Sequence, residues 1–118
     1  MERKVQVVFQ VPLKEDAEAG NGEEHPPFRW RLLQDQMTKL FDGWTEQPGW
    51  TGEWARPGTG EIVNEPSRVF QIDAKENSLD DAKGFLRRVC VTFGQECIRA
   101  IILGYAEYIE GGPDDEHL

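Results

Sequence analysis

The chain has 118 residues and carries 13 Lys and Arg against 22 Asp and Glu, which gives a formal charge of −9. A chain of this length closes one hydrophobic core, so we expect a single domain. The acid excess argues against nucleic acid or an anionic membrane as the main partner, because both attract clustered cations. No apolar run approaches the roughly 20 residues of a membrane-spanning helix. The opening residues lead into an alternating segment that is unlike an export signal, so a cytoplasmic location is expected.

The side chains that most often bind metals or act as nucleophiles are scarce. The chain has two cysteines, Cys90 and Cys97, and two histidines, His25 and His117. The cysteine spacing matches no zinc or redox motif, and both histidines fall in predicted loops, so no metal site and no cofactor is predicted. Cys90 and Cys97 are expected to be buried small side chains, and the short link between them leaves a disulfide open.

The first half of the chain predicts a strand, a loop and a helix. Residues 4–11 alternate apolar and polar side chains, which is typical of a strand. Residues 14–27 contain five carboxylates, two glycines and two prolines without apolar periodicity, and they predict a mobile acidic loop. A helix follows from Pro27, because apolar residues then recur at steps of three and four as far as the Asp42-Gly43 stop.

The second half predicts a hairpin, a second helix and a last strand. Residues 44–56 are interrupted by Pro48-Gly49 and suit an edge strand or an arm, and a Pro-Gly-Thr-Gly turn leads on to a strand over 67–74. A helix over 78–93 and a strand over 97–103 come next, with a further short strand over 105–109. Residues 111–118 have almost nothing apolar and are expected to be a disordered acidic tail.

The order strand, helix, two strands, helix, strand is that of an α+β, ferredoxin-like βαββαβ domain over residues 1–110. Both helices are expected on one face of an antiparallel sheet, which leaves the opposite face, called here the open face, without a cover. We expect Val8, Val69 and Ile101 on it, with Gln6, Gln10 and Arg99 around them. An apolar patch of that kind predicts a homodimer paired through the open face.

Three short motifs lie in the second half: Gly52-Glu53-Trp54, Glu65-Pro66-Ser67-Arg68-Val69 and Phe93-Gly94-Gln95-Glu96. As a set they resemble a bacterial family of small ferredoxin-like proteins grouped as a domain of unknown function. The resemblance covers roughly residues 40–103 and implies a fold rather than an activity. The chain departs from the family pattern at Asn64, where Arg is usual, and at Cys97, where Ser or Ala is usual.

One candidate site is a charged cluster around the predicted hairpin, formed by Arg56, Glu61, Glu65 and Arg68. Paired carboxylates with arginines hold small polar ligands or perform acid–base chemistry. A surface ion-pair cluster beside a turn is the structural alternative, and it is the one that we favour.

Two further candidates lie next to the last strand and within residues 44–56. Gln95 and Glu96 join the second helix to the last strand, where their expected role is to hydrogen-bond exposed backbone groups. Trp50 and Trp54, four residues apart in an extended segment, are expected to pack on the sheet or to cover a partner.

The leading functional hypothesis is a non-catalytic module that assembles with itself and binds a small molecule or a protein partner through the open face. The first alternative is a small dimeric enzyme with a cavity between sheet and helices, for which Glu65, Glu96, Arg99 and Tyr105 are the candidate residues. The second alternative is an acidic inhibitor or immunity-like protein, motivated by the charge of −9.

Overall fold

The fold was analysed in a computed structural model, which describes residues 3–15, 22–55 and 58–118, without the side chains of residues 50, 52, 54, 63 and 64. The elements in chain order are β1 (Lys4–Pro12), α1 (Pro27–Phe41), β2 (Thr45–Ala55), β3 (Ile62–Lys75), α2 (Leu79–Thr92), β4 (Cys97–Ile102) and β5 (Tyr105–Glu110). A single 3-10 turn, Glu76–Ser78, leads into α2. The predicted α+β, ferredoxin-like class is confirmed, and the short extra strand is present as β5.

The sheet has the strand order β2-β3-β1-β4-β5, and every neighbouring pair is antiparallel. The first strand therefore lies in the middle, where Val7 is opposite Ile72 on one side and Ile102 on the other. The last strand is added outside β4, beyond the four strands of the βαββαβ pattern. The predicted edge strand is β2, whose register shifts between Gln47 and Trp50 as a bulge.

The core lies between the sheet and the two helices. It is built from alternate positions of β1, β3 and β4 and from one face of each helix, where Leu33, Met37, Phe85 and Leu86 are fully buried. The predicted apolar face of α1 is too wide at its end, because Leu40 is 46% exposed.

A two-residue turn joins β4 to β5. Leu103 and Gly104 both have positive φ, 55° and 81°, which is the backbone that a tight antiparallel hairpin requires. The turn sets Ile102 opposite Tyr105, and the same register carries Arg99 opposite Tyr108. Tyr108 is thus the cross-strand neighbour of Arg99.

Strands β2 and β3 continue beyond the end of β1. The pairing of β1 with β3 stops at Pro12 opposite Ser67, whereas β2 and β3 stay paired from Gly52 opposite Glu65 to Ala55 opposite Ile62. We call residues 52–55 and 62–65 the arm. It is a two-stranded ribbon that prolongs one corner of the sheet.

Two segments expected to be mobile make specific contacts. At the described ends of the 14–27 loop, Lys14 and Glu24 form a β-bridge and His25 is only 6% exposed, while residues 16–21 lie outside the described part. The chain end was expected to be disordered, but Leu118 packs against the core and its N–H donates to Thr92 Oγ1 at 2.8 Å. Both expectations overlooked long-range partners that local composition does not reveal.

None of the helices in the described residues has the length and apolar character needed to cross a membrane.

Candidate functional site on the open face of the sheet

The open face is formed by the strand positions that alternate with the core positions. In the described part of the chain its members are Gln6, Val8 and Gln10 in β1, Thr45 and Gln47 in β2, Ser67, Val69, Gln71 and Asp73 in β3, Cys97, Arg99 and Ile101 in β4, and Ala106, Tyr108 and Glu110 in β5. Val8 and Ile101 are directly opposite each other and both are half-buried. The middle of the face is therefore apolar and amide-rich, with one cation.

Val69 departs from the expected exposed patch, because it is fully buried although it lies on the open face. It is opposite Gln10 on one side and Gln47 on the other, and Gln47 Nε2 donates to Gln71 Oε1 at 2.9 Å. Val69 thus has a glutamine on each neighbouring strand. The apolar part of the open face is thus Val8 and Ile101, without Val69.

Arg99 is the cation of this surface. It is half-buried, lies opposite Tyr108, and forms no ion pair within the described part of the chain. Tyr108 is 68% exposed, so most of its side chain is accessible to solvent. A guanidinium with a neighbouring phenol can bind a carboxylate or a phosphate through charge-assisted hydrogen bonds. Sequence analysis chose Tyr105 instead, because the register set by the two-residue turn is not visible in the sequence.

Arg68, one member of the charged cluster predicted around the hairpin, contacts Glu46 and Trp30. Arg68 lies on the helix side of β3, opposite Val11, and binds Glu46 through Nε at 2.9 Å and Nη2 at 2.7 Å. Its guanidinium also stacks 4.6 Å from the Trp30 ring centroid. The hydrogen bonds from Arg68 hold the pKa of Glu46 below its usual value. Arg68 therefore has a structural role, joining β2, β3 and α1.

The other members of the predicted charged cluster are Glu61, Glu65 and Arg56. Glu61 is exposed directly before the second strand of the arm, which starts at Ile62. Glu65 is half-buried opposite Gly52. Arg56 lies outside the described residues. Trp50 and Trp54 belong to β2, where their backbones pair with Ser67 and Val63.

Gln95 is a structural residue at the junction of α2 and β4. It is 6% exposed, and its Nε2 donates to the carbonyls of Lys14 at 2.8 Å and Phe93 at 3.0 Å. Gln95 thus has the expected role of hydrogen-bonding backbone groups, and Glu96 beside it is exposed to solvent.

His25 makes a second set of hydrogen bonds that hold the 14–27 loop, near the end of the loop opposite to Lys14. Nε2 donates to the Pro12 carbonyl at 2.9 Å, while Nδ1 accepts from Arg29 Nη1 at 3.0 Å, so the imidazole is neutral. Arg29 also binds Glu15 Oε1 at 2.6 Å. Burial lowers the pKa of His25, and the Arg29 charge lowers it further against the opposing effects of the Pro12 carbonyl and Glu15.

The four residues named for a small enzyme are not brought into one cavity. Tyr105 is opposite Ile102 and therefore lies on the helix side of β5, at 77% exposure, whereas Arg99 faces the other way. Glu96 is an exposed residue before β4, and Glu65 lies in the arm. Arg99 alone lies in the middle of the open face.

The described residues contain no group of three or more His, Cys, Asp or Glu side chains placed to hold a metal ion. Cys90 and Cys97 are not joined by a disulfide. Cys90 is fully buried, its Sγ donates to the Ile109 carbonyl at 3.1 Å, and burial raises the pKa of its thiol to about 12. A thiol held neutral in this way is a poor nucleophile.

Comparison with known proteins gives fold relationships only. No family model and no curated protein matches the sequence, so the family suggested by the three motifs stays a prediction. Among solved structures, a phage SAM lyase in the apo state aligns with a TM-score of 0.65 and 16% identity over 94% of this chain and 95% of that chain. The same kind of protein in complex with S-methyl-5'-thioadenosine aligns with a TM-score of 0.61 and 15% identity over the same shares.

A second kind of protein shares the fold. The divalent cation tolerance protein CutA1 from Thermus thermophilus aligns with a TM-score of 0.58 and 15% identity, over 89% of this chain and 86% of that chain. At these identities the likeness establishes the fold. The chain is thus a small ferredoxin-like α+β protein whose sheet carries a fifth strand and an arm.

Proposed function

We propose that the protein is a non-catalytic module that assembles with itself through the open face. The observation that carries the proposal is the composition of this face: in a chain of net charge −9, its centre is Val8 and Ile101 among glutamines, with Arg99 as its cation. Depletion of charged side chains in the centre of a surface patch is the compositional signature of protein–protein contacts.

A closed assembly is the arrangement that covers the same patch on every copy. If two copies pair through a two-fold axis, Ile101 of each lies close to the apolar centre of the other, and the glutamines supply hydrogen bonds at the rim. The homodimer expected from the sequence is the simplest form of this proposal.

Ile101→Glu is the variant that tests it. A carboxylate in the middle of a dry contact lacks a counter-charge, so we expect a folded protein with the 13.5 kDa mass of a single chain. Light scattering measures the mass and circular dichroism the fold. Leu40→Glu is the matched control, because Leu40 is 46% exposed on α1, away from the sheet, and this variant should keep the wild-type mass. A wild-type protein that runs as a single chain at micromolar concentration would contradict the proposal.

A second candidate function is suggested by the fold relationship to a phage SAM lyase, which extends over 94% of this chain. In this candidate the protein binds an S-adenosyl compound and cleaves it as an enzyme. Arg99 and Tyr108 would take the carboxylate of the amino acid portion of S-adenosylmethionine, a group that S-methyl-5'-thioadenosine does not have.

Experiments with S-adenosylmethionine and S-methyl-5'-thioadenosine distinguish this enzyme candidate from the assembly module. Incubation with S-adenosylmethionine followed by chromatography should yield S-methyl-5'-thioadenosine, and both compounds should raise the melting temperature. Arg99→Ala should weaken binding of S-adenosylmethionine at least tenfold, because a charge-assisted hydrogen bond contributes roughly 1.5–3 kcal/mol, and should leave S-methyl-5'-thioadenosine binding nearly unchanged. Absence of both turnover and thermal stabilisation would exclude the candidate and leave the assembly module.

A further inference from the structure

We infer that the arm of one copy lies on the open face of another copy. This rests on the proposed self-association and names the segment that makes the contact. The occupant of the open face is thus a second copy of this chain, and it contributes residues 52–55 and 62–65.

The first support is that no third strand pairs with the arm within the described part of the chain. Strand β1 ends at Pro12, opposite Ser67, so the four pairs from Gly52–Glu65 to Ala55–Ile62 are a ribbon of two strands only. A two-stranded ribbon is marginal in water, and further strands or a packed surface are needed to stabilise it. Ile62 is 65% exposed in this ribbon. Contact with another surface would bury that side chain.

The second support is the direction of the arm. It prolongs β2 and β3 past the end of β1, so it lies beside the open face of its own copy and not over it. The long dimension of the molecule, 48 Å against 31 and 30 Å, agrees with a projecting corner. A surface displaced in this way is available to a neighbouring copy.

The third support is a local pairing of opposite charges, between acids at the arm and Arg99 on the open face, whose two carboxylates, Asp73 and Glu110, lie opposite Gln6 and Cys97. Glu53 is exposed on the arm and Glu61 is exposed directly before its second strand, and neither side chain forms an ion pair within the described part of the chain. On the open face, Arg99 is half-buried and likewise without an ion pair there. A contact between arm and face brings acids of one copy to the cation of the other.

Shortening the arm is the direct test. Replacing residues 53–64 by Asn-Gly leaves Gly52 and Glu65 as the last pair, joined by a two-residue turn suited to a hairpin. None of the removed residues whose side chains are described belongs to the core cluster, so the variant is expected to keep the circular dichroism spectrum of the wild type. We expect light scattering to give the mass of a single chain.

A second pair of variants works without deleting any residue. Arg99→Glu should dissociate the assembly, and adding Glu53→Arg and Glu61→Arg to the same chain should restore it, because the charges are exchanged across the contact. Mixing the shortened-arm chain with Arg99→Glu offers one intact face and one intact arm. A heterodimer should therefore appear in the mixture, although each variant alone is a single chain.

The outcomes separate this inference from the proposed function. If the shortened-arm chain keeps the wild-type mass while Ile101→Glu dissociates, the face pairs without the arm and the inference is wrong. If the shortened chain does not fold, failure of the charge exchange to restore the Arg99→Glu assembly overturns the inference instead. A wild type that is already a single chain overturns both proposals.

Discussion

Replacing Phe85 with alanine should lower the free energy of unfolding by about 3–5 kcal/mol, the range for removing a large aromatic side chain from a closed core. Phe85 is 1% exposed and lies edge-on to two other rings, with centroid distances of 6.3 Å to Phe9 and 5.2 Å to Phe41. It joins α2 to the central strand and to the end of α1, so the cavity would open between three elements. Urea denaturation followed by circular dichroism measures the change.

Leu40→Ala is the control for this substitution. Leu40 is 46% exposed, so its truncation should change the free energy of unfolding by less than about 1 kcal/mol. Equal denaturation midpoints for the two variants would mean that the core is not centred on Phe85.

His25→Ala should cost about 1–3 kcal/mol at pH 7.5, because the Pro12 carbonyl and the Arg29 guanidinium would lose a buried hydrogen-bond partner. The wild type should also lose stability on mild acidification. Since the pKa of His25 is lower in the fold than in the unfolded chain, the unfolded chain takes up the proton first. Stability is therefore complete above pH 6.5, falls as the pH drops below it, and stops falling once the folded protein is protonated too.

His25→Gln isolates this pH dependence. A glutamine amide can donate to the Pro12 carbonyl and accept from Arg29, and it does not titrate. Denaturation midpoints at pH 7.5 and 5.5 should differ less for His25→Gln than for the wild type. The same difference in the two proteins would show that another group is responsible. Glu46 affects stability at lower pH, because its lowered pKa makes its contribution disappear only as the carboxylate is protonated.

The strands and helices were predictable because each has its own regular spacing of apolar residues along the chain. Alternation over residues 4–11 reports a strand with one buried side, and steps of three and four report a helix with one buried stripe. The order of these elements then leaves few topologies, since antiparallel neighbours and short connections restrict the choice. The faces of β1 and β4 follow from the same alternation.

The candidate site was less predictable because it depends on which strands are neighbours. The sequence places Arg68 among the charges of the hairpin, whereas the sheet brings Glu46 and Trp30 to it. Tyr108 becomes the neighbour of Arg99 only through the two-residue turn. The spacing of apolar residues indicates on which face of the sheet a residue lies, but not which residue is opposite it on the neighbouring strand.

The loop contacts were missed for a related reason. A run rich in acids and glycine predicts mobility, yet one buried histidine and one distant glutamine are enough to fix both described ends of the 14–27 loop. These bonds join segments up to 81 positions apart, a separation that no local window samples.

The central position of β1 has a consequence for folding during synthesis. This strand is made first, but its two neighbours are β3 and β4, and the latter follows only after residues 13–96 have been made. At about 5–20 residues per second, one edge of β1 waits roughly 4–17 s for its partner on the ribosome. During that time the backbone of β1 is unpaired on the side of β4, and the apolar side chains of Val5, Val7 and Phe9 have no finished core to pack into. Chaperones bind exposed segments of this kind. We therefore expect the yield of native protein to depend more on translation speed and chaperone supply than on the stability of the finished fold.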